Sequence, residues 1–154
     1  MPKQERAKLI GELMKIKEVM QHIKDRELPC VSETSDLSDV VKVVTCFPHT
    51  RLVYVIDDQK KLLGVITIDS LMHHLYPYYY EAKIHPRGIL RNITAETAIH
   101  IMSSEHINAS PDETIDVVLK RMAGRGVNEV SVVDSNGCLL TEITAVDLLK
   151  YYKS

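Results

Sequence analysis

Apolar residues recur along this chain in two rhythms. The β-branched runs at 52–56 and 129–133 read as strands. Each is followed by a polar turn, Asp57-Asp58-Gln59-Lys60 or Asp134-Ser135-Asn136-Gly137, and Asn-Gly is a strong hairpin signal. A second apolar run then ends at Thr67 or Thr144. Ahead of each hairpin, a short strand start (Pro29-Cys30-Val31; Ile107-Asn108-Ala109) leads to a helical stretch, about 37–46 or 114–123. Capping candidates are Ser35 or Asp36 in the first and Asp112, after Pro111, in the second. A closing helix follows each hairpin, over 68–75 or 145–152.

These elements form a repeat. Asp57 and Asp134 are 77 positions apart, as are Thr67 and Thr144, whereas Ser32 and Ser110 are 78 apart, a slip of one loop residue. The expected fold class is α+β (mixed α/β): two β-α-β-β-α units plus an N-terminal helix. One unit of about 50 residues has too little core to stand alone, so the two are expected to pack about a pseudo-twofold axis. Grooves at such a seam suit small ligands. The expected boundaries are 1–24 for the helix, 25–75 for unit 1, 76–94 for a Tyr-rich connector and 95–154 for unit 2.

In the N-terminal stretch, Leu9, Leu13, Ile16, Met20 and Ile23 predict one amphipathic helix over 3–24. It serves either intrachain packing or a seam between two chains. In the connector, Tyr76-Pro77-Tyr78-Tyr79-Tyr80 and His85-Pro86 break the helical pattern. Its tyrosines are expected to pack edge-on against the closing helices.

The 154 residues are 45% hydrophobic and 26% charged, which suits a globular fold and excludes disorder. A net charge of −2 argues against nucleic-acid or membrane-surface binding. No run reaches the roughly 20 apolar residues of a membrane span, and the charged N-terminus has no signal-peptide core. Cys30, Cys46 and Cys138 are too few and too dispersed for a disulfide framework. They read as small buried hydrophobes in a cytoplasmic setting.

Catalytic and metal readings find no support. His73 and His74 are adjacent, about 100° apart on a helix, and no Cys/His cluster exists. There is no Gly-x-Ser-x-Gly and no phosphate-cradling glycine loop. Gly124-Arg125-Gly126 reads as a helix end through a left-handed glycine. The expectation is no catalytic residue, no metal and no catalytic cofactor.

The order of motifs resembles a tandem pair of CBS domains, the domains named after cystathionine β-synthase. The second unit carries Ile101-Met102, Ser110-Pro111-Asp112-Glu113-Thr114-Ile115, Val132-Val133-Asp134 and Ile143-Thr144-Ala145-Val146-Asp147-Leu148. The first carries Val19-Met20, Ser32-Glu33-Thr34, Val55-Ile56-Asp57 and Gly64-Val65-Ile66-Thr67. The resemblance implies a regulatory pair, usually dimeric, that binds an adenosyl ligand (AMP, ADP, ATP, S-adenosylmethionine, sometimes NAD) and signals to an effector protein. It also implies that Thr144 and Asp147 hydrogen-bond the ribose. The same two residues equally serve as N-cap and N3 of their own helix. Adenine is expected near Ile107, Asn108 and Ala109, with Val127 and Val130 on its other face.

The sequence departs from the family in three places. Ser70 stands where the first unit's ribose Asp belongs, with Asp69 one residue early, so one good site and one weak or empty one are expected. Leu52 and Glu129 replace the basic residue some members place before the strand-ending Asp. The nearby cations are Arg51 and Arg125. Thr141-Glu142 replaces the usual Gly-apolar pair. The alternative to a ligand sensor is a non-binding dimerisation scaffold of the same fold. A small enzyme is a third and weaker reading.

Overall fold

A computed structural model describes residues 2–80 and 96–152. Fourteen elements are used below: α1 (Lys3–Leu13), α2 (Ile16–Met20), β1 (Cys30–Ser32), α3 (Leu37–Thr45), β2 (Leu52–Ile56), β3 (Leu62–Thr67), α4 (Ile68–Leu75), α5 (Pro77–Tyr80), α6 (Ala98–Ile101), β4 (Asn108–Ala109), α7 (Ile115–Arg125), β5 (Glu129–Val133), β6 (Leu139–Thr144) and α8 (Ala145–Leu149). They build two compact units. Leu28–His106 forms the N-repeat unit, and Met1–Glu27 with Ile107–Ser154 forms the C-repeat unit.

Each unit contains one three-stranded mixed sheet, as the repeat predicts. In the N-repeat unit β1 runs parallel to β2, and β2 pairs antiparallel with β3 through Val53↔Ile66 and Tyr54↔Val65. In the C-repeat unit β4 runs parallel to β5, and β5 pairs with β6 through Val130↔Ile143 and Glu129↔Thr144. Both hairpins shift register at the same place, Val55/Ile56 and Val132/Val133. Their turns match as well. Asp57 Oδ1 accepts from Gln59 N at 2.8 Å and Lys61 N at 2.9 Å. Asp134 Oδ1 accepts from Asn136 N at 2.8 Å and Cys138 N at 3.0 Å. The residue inside each turn is left-handed, Gly137 at φ 83° and Lys60 at φ 64°.

Val31, Val40, Val53, Val55, Ile66 and Leu71 fill the N-repeat core, joined by Ala98 and Ile101 of α6. Ala109, Ile115, Val118, Met122, Val130, Val132 and Ile143 fill the C-repeat core, joined by Ile16 and Val19 of α2. At about 1.5–3 kcal/mol per buried aliphatic side chain, these helices contribute substantially to their sheets.

The structure differs from the periodicity over 3–24, which breaks into α1 and α2 with Met14 and Lys15 extended. The cause is tertiary hydrogen bonding. Ile115 N donates to Met14 O at 3.0 Å, Ile16 N to Glu113 O at 2.9 Å and Lys17 N to Pro111 O at 2.9 Å. Those bonds replace the helical ones. Ile16 and Val19 are buried while Leu9 and Leu13 are exposed, so the apolar stripe does not form one face.

Other boundaries shift less. Asp36 caps α3, accepting from Asp39 N at 2.8 Å. Thr114, not Asp112, occupies the N-cap of α7, and left-handed Gly126 ends that helix. α8 stops at Leu149 rather than 152. Pro77 opens α5, where its fixed φ and missing N–H fit the first helical position. Tyr80 lies against His73 of α4, ring centroids 4.8 Å apart but tilted by 46° rather than edge-on, and Tyr76, Tyr78, Tyr79 and Tyr80 are all exposed. Connector residues 81–94 fall outside the described residues. Cys30 and Cys138 are half-buried, and Cys46 is exposed rather than buried.

Candidate functional site

The site grows from the end of β6. Thr144 leaves the strand with extended backbone and caps α8, its Oγ1 accepting from Asp147 N at 3.2 Å. Asp147 answers: its Oδ2 accepts from Thr144 N at 2.8 Å and from Thr144 Oγ1 at 3.1 Å. This reciprocal box, with a negative group in the first turn, is the local arrangement a helix N-terminus favours.

Asp147 is 4% exposed, and a carboxylate so buried needs a countercharge. Arg26 supplies it. Nη1 donates to Oδ2 at 2.6 Å and Nη2 to Oδ1 at 2.7 Å, a two-pronged pairing. Nη1 also donates to Glu142 O at 3.0 Å, tying the guanidinium to β6. Burial alone pushes the Asp147 carboxyl upward. The Arg26 and Thr144 hydrogen bonds and the Arg26 charge outweigh it, so the group sits below the ordinary aspartate value. The Tyr151 phenol is raised, first by burial and then by the Asp147 and Glu18 carboxylates.

Beside this pair lies a hollow of about 400 Å³ lined by Val19, His22, Ile23, Asp147, Lys150 and Tyr151. His22 and Tyr151 meet edge to face there, ring centroids 6.2 Å apart.

The other predicted residues fall into separate groups. Ile107, Ala109, Val127 and Val130 belong to the apolar cluster of the C-repeat unit, with Ala109 and Val130 fully buried. Asn108 is exposed on β4; its Oδ1 accepts from Ser131 Oγ at 2.7 Å and its carbonyl accepts from Arg121. Asn108 and Ala109 line a second hollow, about 510 Å³, with Asp112, Glu113, Arg121 and Asp134. Arg125 is exposed at the end of α7, and Arg51 is exposed in the N-repeat unit. In that unit Thr67 Oγ1 accepts from Ser70 N at 3.0 Å, and Asp69 is exposed.

Sequence reasoning missed Arg26. It stands in the polar run Lys24-Asp25-Arg26-Glu27, outside the repeated motifs, and such a run reads as a solvated face. Among the described residues no group of His, Cys, Asp and Glu is placed to hold a metal, and no helix is long and apolar enough to cross a membrane.

A family model for the CBS domain matches residues 16–77 and 92–154. The chain belongs to the CBS-domain family. Known structures of CBS domains share its fold. The CBS domain of a CBS domain-containing membrane protein from Sphaerobacter thermophilus matches with TM-score 0.68 and 21% identity, covering 96% of this chain and 93% of that one. CBSX2, solved in complex with AMP, matches with TM-score 0.67 and 13% identity over 88% and 93% of the two chains. The CBS pair of protein MJ0100, solved with 5′-methylthioadenosine and S-adenosyl-L-methionine, matches with TM-score 0.66 and 18% identity over 91% and 96%. No curated protein matches the chain. Thr144 and Asp147 lie within the second matched segment.

Proposed function

We propose that this CBS pair is a regulatory module that binds an adenosine-containing ligand and does no chemistry on it. The ligand is an adenine nucleotide (AMP, ADP or ATP) or S-adenosylmethionine, with its ribose hydroxyls on Asp147 and Thr144. The observation that carries this reading is the buried Asp147 carboxylate at a helix N-terminus, next to a hollow of about 400 Å³. A carboxylate accepts from both hydroxyls of a ribose, and charge-assisted bonds are the stronger kind. The adenosyl ligands of CBSX2 and of the MJ0100 pair support the same class. On this reading Ile107, Asn108, Ala109, Val127 and Val130 form the adenine side, and Arg51 and Arg125 are the outlying cations. The module works in the cytoplasm as a homodimer and reports occupancy to a separate effector protein.

A specific observation favours a second reading, the non-binding scaffold: Asp147 is already paired with Arg26. Thermal unfolding with AMP, ADP, ATP, S-adenosylmethionine and NAD separates the two. A ligand at 100 times its dissociation constant adds about 2.7 kcal/mol, a rise of roughly 6–10 °C for a chain of this size. Asp147→Ala should abolish the shift and Asp69→Ala should keep it. No shift with any of the five compounds leaves the scaffold.

A further inference from the structure

Most of the acceptor capacity of the Asp147 carboxylate is already engaged, three bonds on Oδ2 and one on Oδ1. A carboxylate offers about four lone-pair positions. Oδ2 takes Thr144 N, Thr144 Oγ1 and Arg26 Nη1, and Oδ1 takes Arg26 Nη2. The two Thr144 bonds hold the helix cap. The two Arg26 bonds come from a side chain outside the repeated motifs, and they present a forked pair of donors, the same pattern a ribose diol presents. Arg26 therefore occupies Asp147 as a sugar would.

We propose that Arg26 is a resident, displaceable occupant of this carboxylate, and that a ligand enters by trading its ribose diol for the guanidinium. This rests on the ligand-binding reading above and sharpens it to a ligand class. The trade replaces charged donors with neutral ones and leaves a cation in a partly buried position, 27% exposed. It goes forward when the ligand brings its own anion. On this proposal the released guanidinium turns to a phosphate on the same sugar; in the resting state its Nη1 also bonds the Glu142 carbonyl of β6. A bare nucleoside brings no such anion. Arg26 thus selects phosphorylated nucleosides, AMP and its higher phosphates, over adenosine. It also supplies the phosphate cation absent at Glu129.

Isothermal titration of AMP and adenosine into wild type and Arg26→Met tests this. Wild type should bind AMP at least about tenfold more tightly than adenosine. In Arg26→Met the two should fall within about threefold of each other, with adenosine binding more tightly than it does to wild type. An unchanged AMP-to-adenosine ratio in the variant, or equal binding of both by wild type, overturns this inference and leaves the ligand-binding reading standing. Binding of neither compound by either protein overturns both. A ¹⁵N-edited spectrum of the wild-type arginine side chains keeps the test decisive if the variant does not fold. Saturating AMP should move the Arg26 Nε–H resonance, and a resonance that stays put overturns the exchange.

Discussion

Asp147 and Arg26 contribute to the acid behaviour of the C-repeat unit. The folded carboxyl holds its proton less tightly than the unfolded one, so its contribution is complete above the unfolded value of about 3.9. It drains away as pH falls through the lower folded value. Melting curves from about pH 6 down to pH 3 should therefore fall more steeply for wild type than for Asp147→Asn. Parallel declines would mean that the pair does not set the acid limb. At this scale the sequence was half legible. Thr144 and Asp147 stand out because strand end, cap and carboxylate follow one another in the chain. Arg26 does not, because its partner is far along the chain and arginine in a charged run carries no local mark of burial.

The twin hairpins offer an internal control on element geometry. Both turns put their third residue after the strand-ending Asp in the left-handed region, and only one is glycine. A side chain there costs about 1–2 kcal/mol, partly offset by the extra freedom glycine has when unfolded. Lys60→Gly should raise stability by roughly 0.5–1 kcal/mol in urea unfolding, and a loss would show that the Lys60 side chain makes a contact worth more than the strain. The hairpins were readable because alternation, turn chemistry and the repeat agree. The 3–24 stretch was misread because periodicity speaks only for local bonds. Backbone groups of residues 111–115 compete for Met14 to Lys17, and that competitor is invisible in a local window. The helix cap at Thr114 instead of Asp112 has the same origin, since Pro111 and Glu113 spend their carbonyls on α2.

At the scale of the molecule, sequence repeat and packing unit divide differently. α2 lies in the first CBS-matched segment but packs in the C-repeat core, and α6 lies in the second but packs in the N-repeat core. Repetition shows which segments are alike and is silent about which sheet each helix joins. Ile16→Ala should cost about 2–5 kcal/mol, as for other large-to-small core changes. Hydrogen exchange should locate the loss in β4 to β6 while β1 to β3 keep their protection. Equal loss in both sheets would contradict the assignment of α2 to the C-repeat core.

The placement of α2 also orders events during synthesis. It leaves the ribosome early, yet Glu113 and Pro111, which hold its backbone, and the strands that cover Ile16 are translated far later. Leu28–His106 is one uninterrupted stretch, and the residues of its core are all translated before β4 to β6. α2 can complete its packing only after the last strands have emerged, so the C-repeat core closes a long loop that the N-repeat core does not.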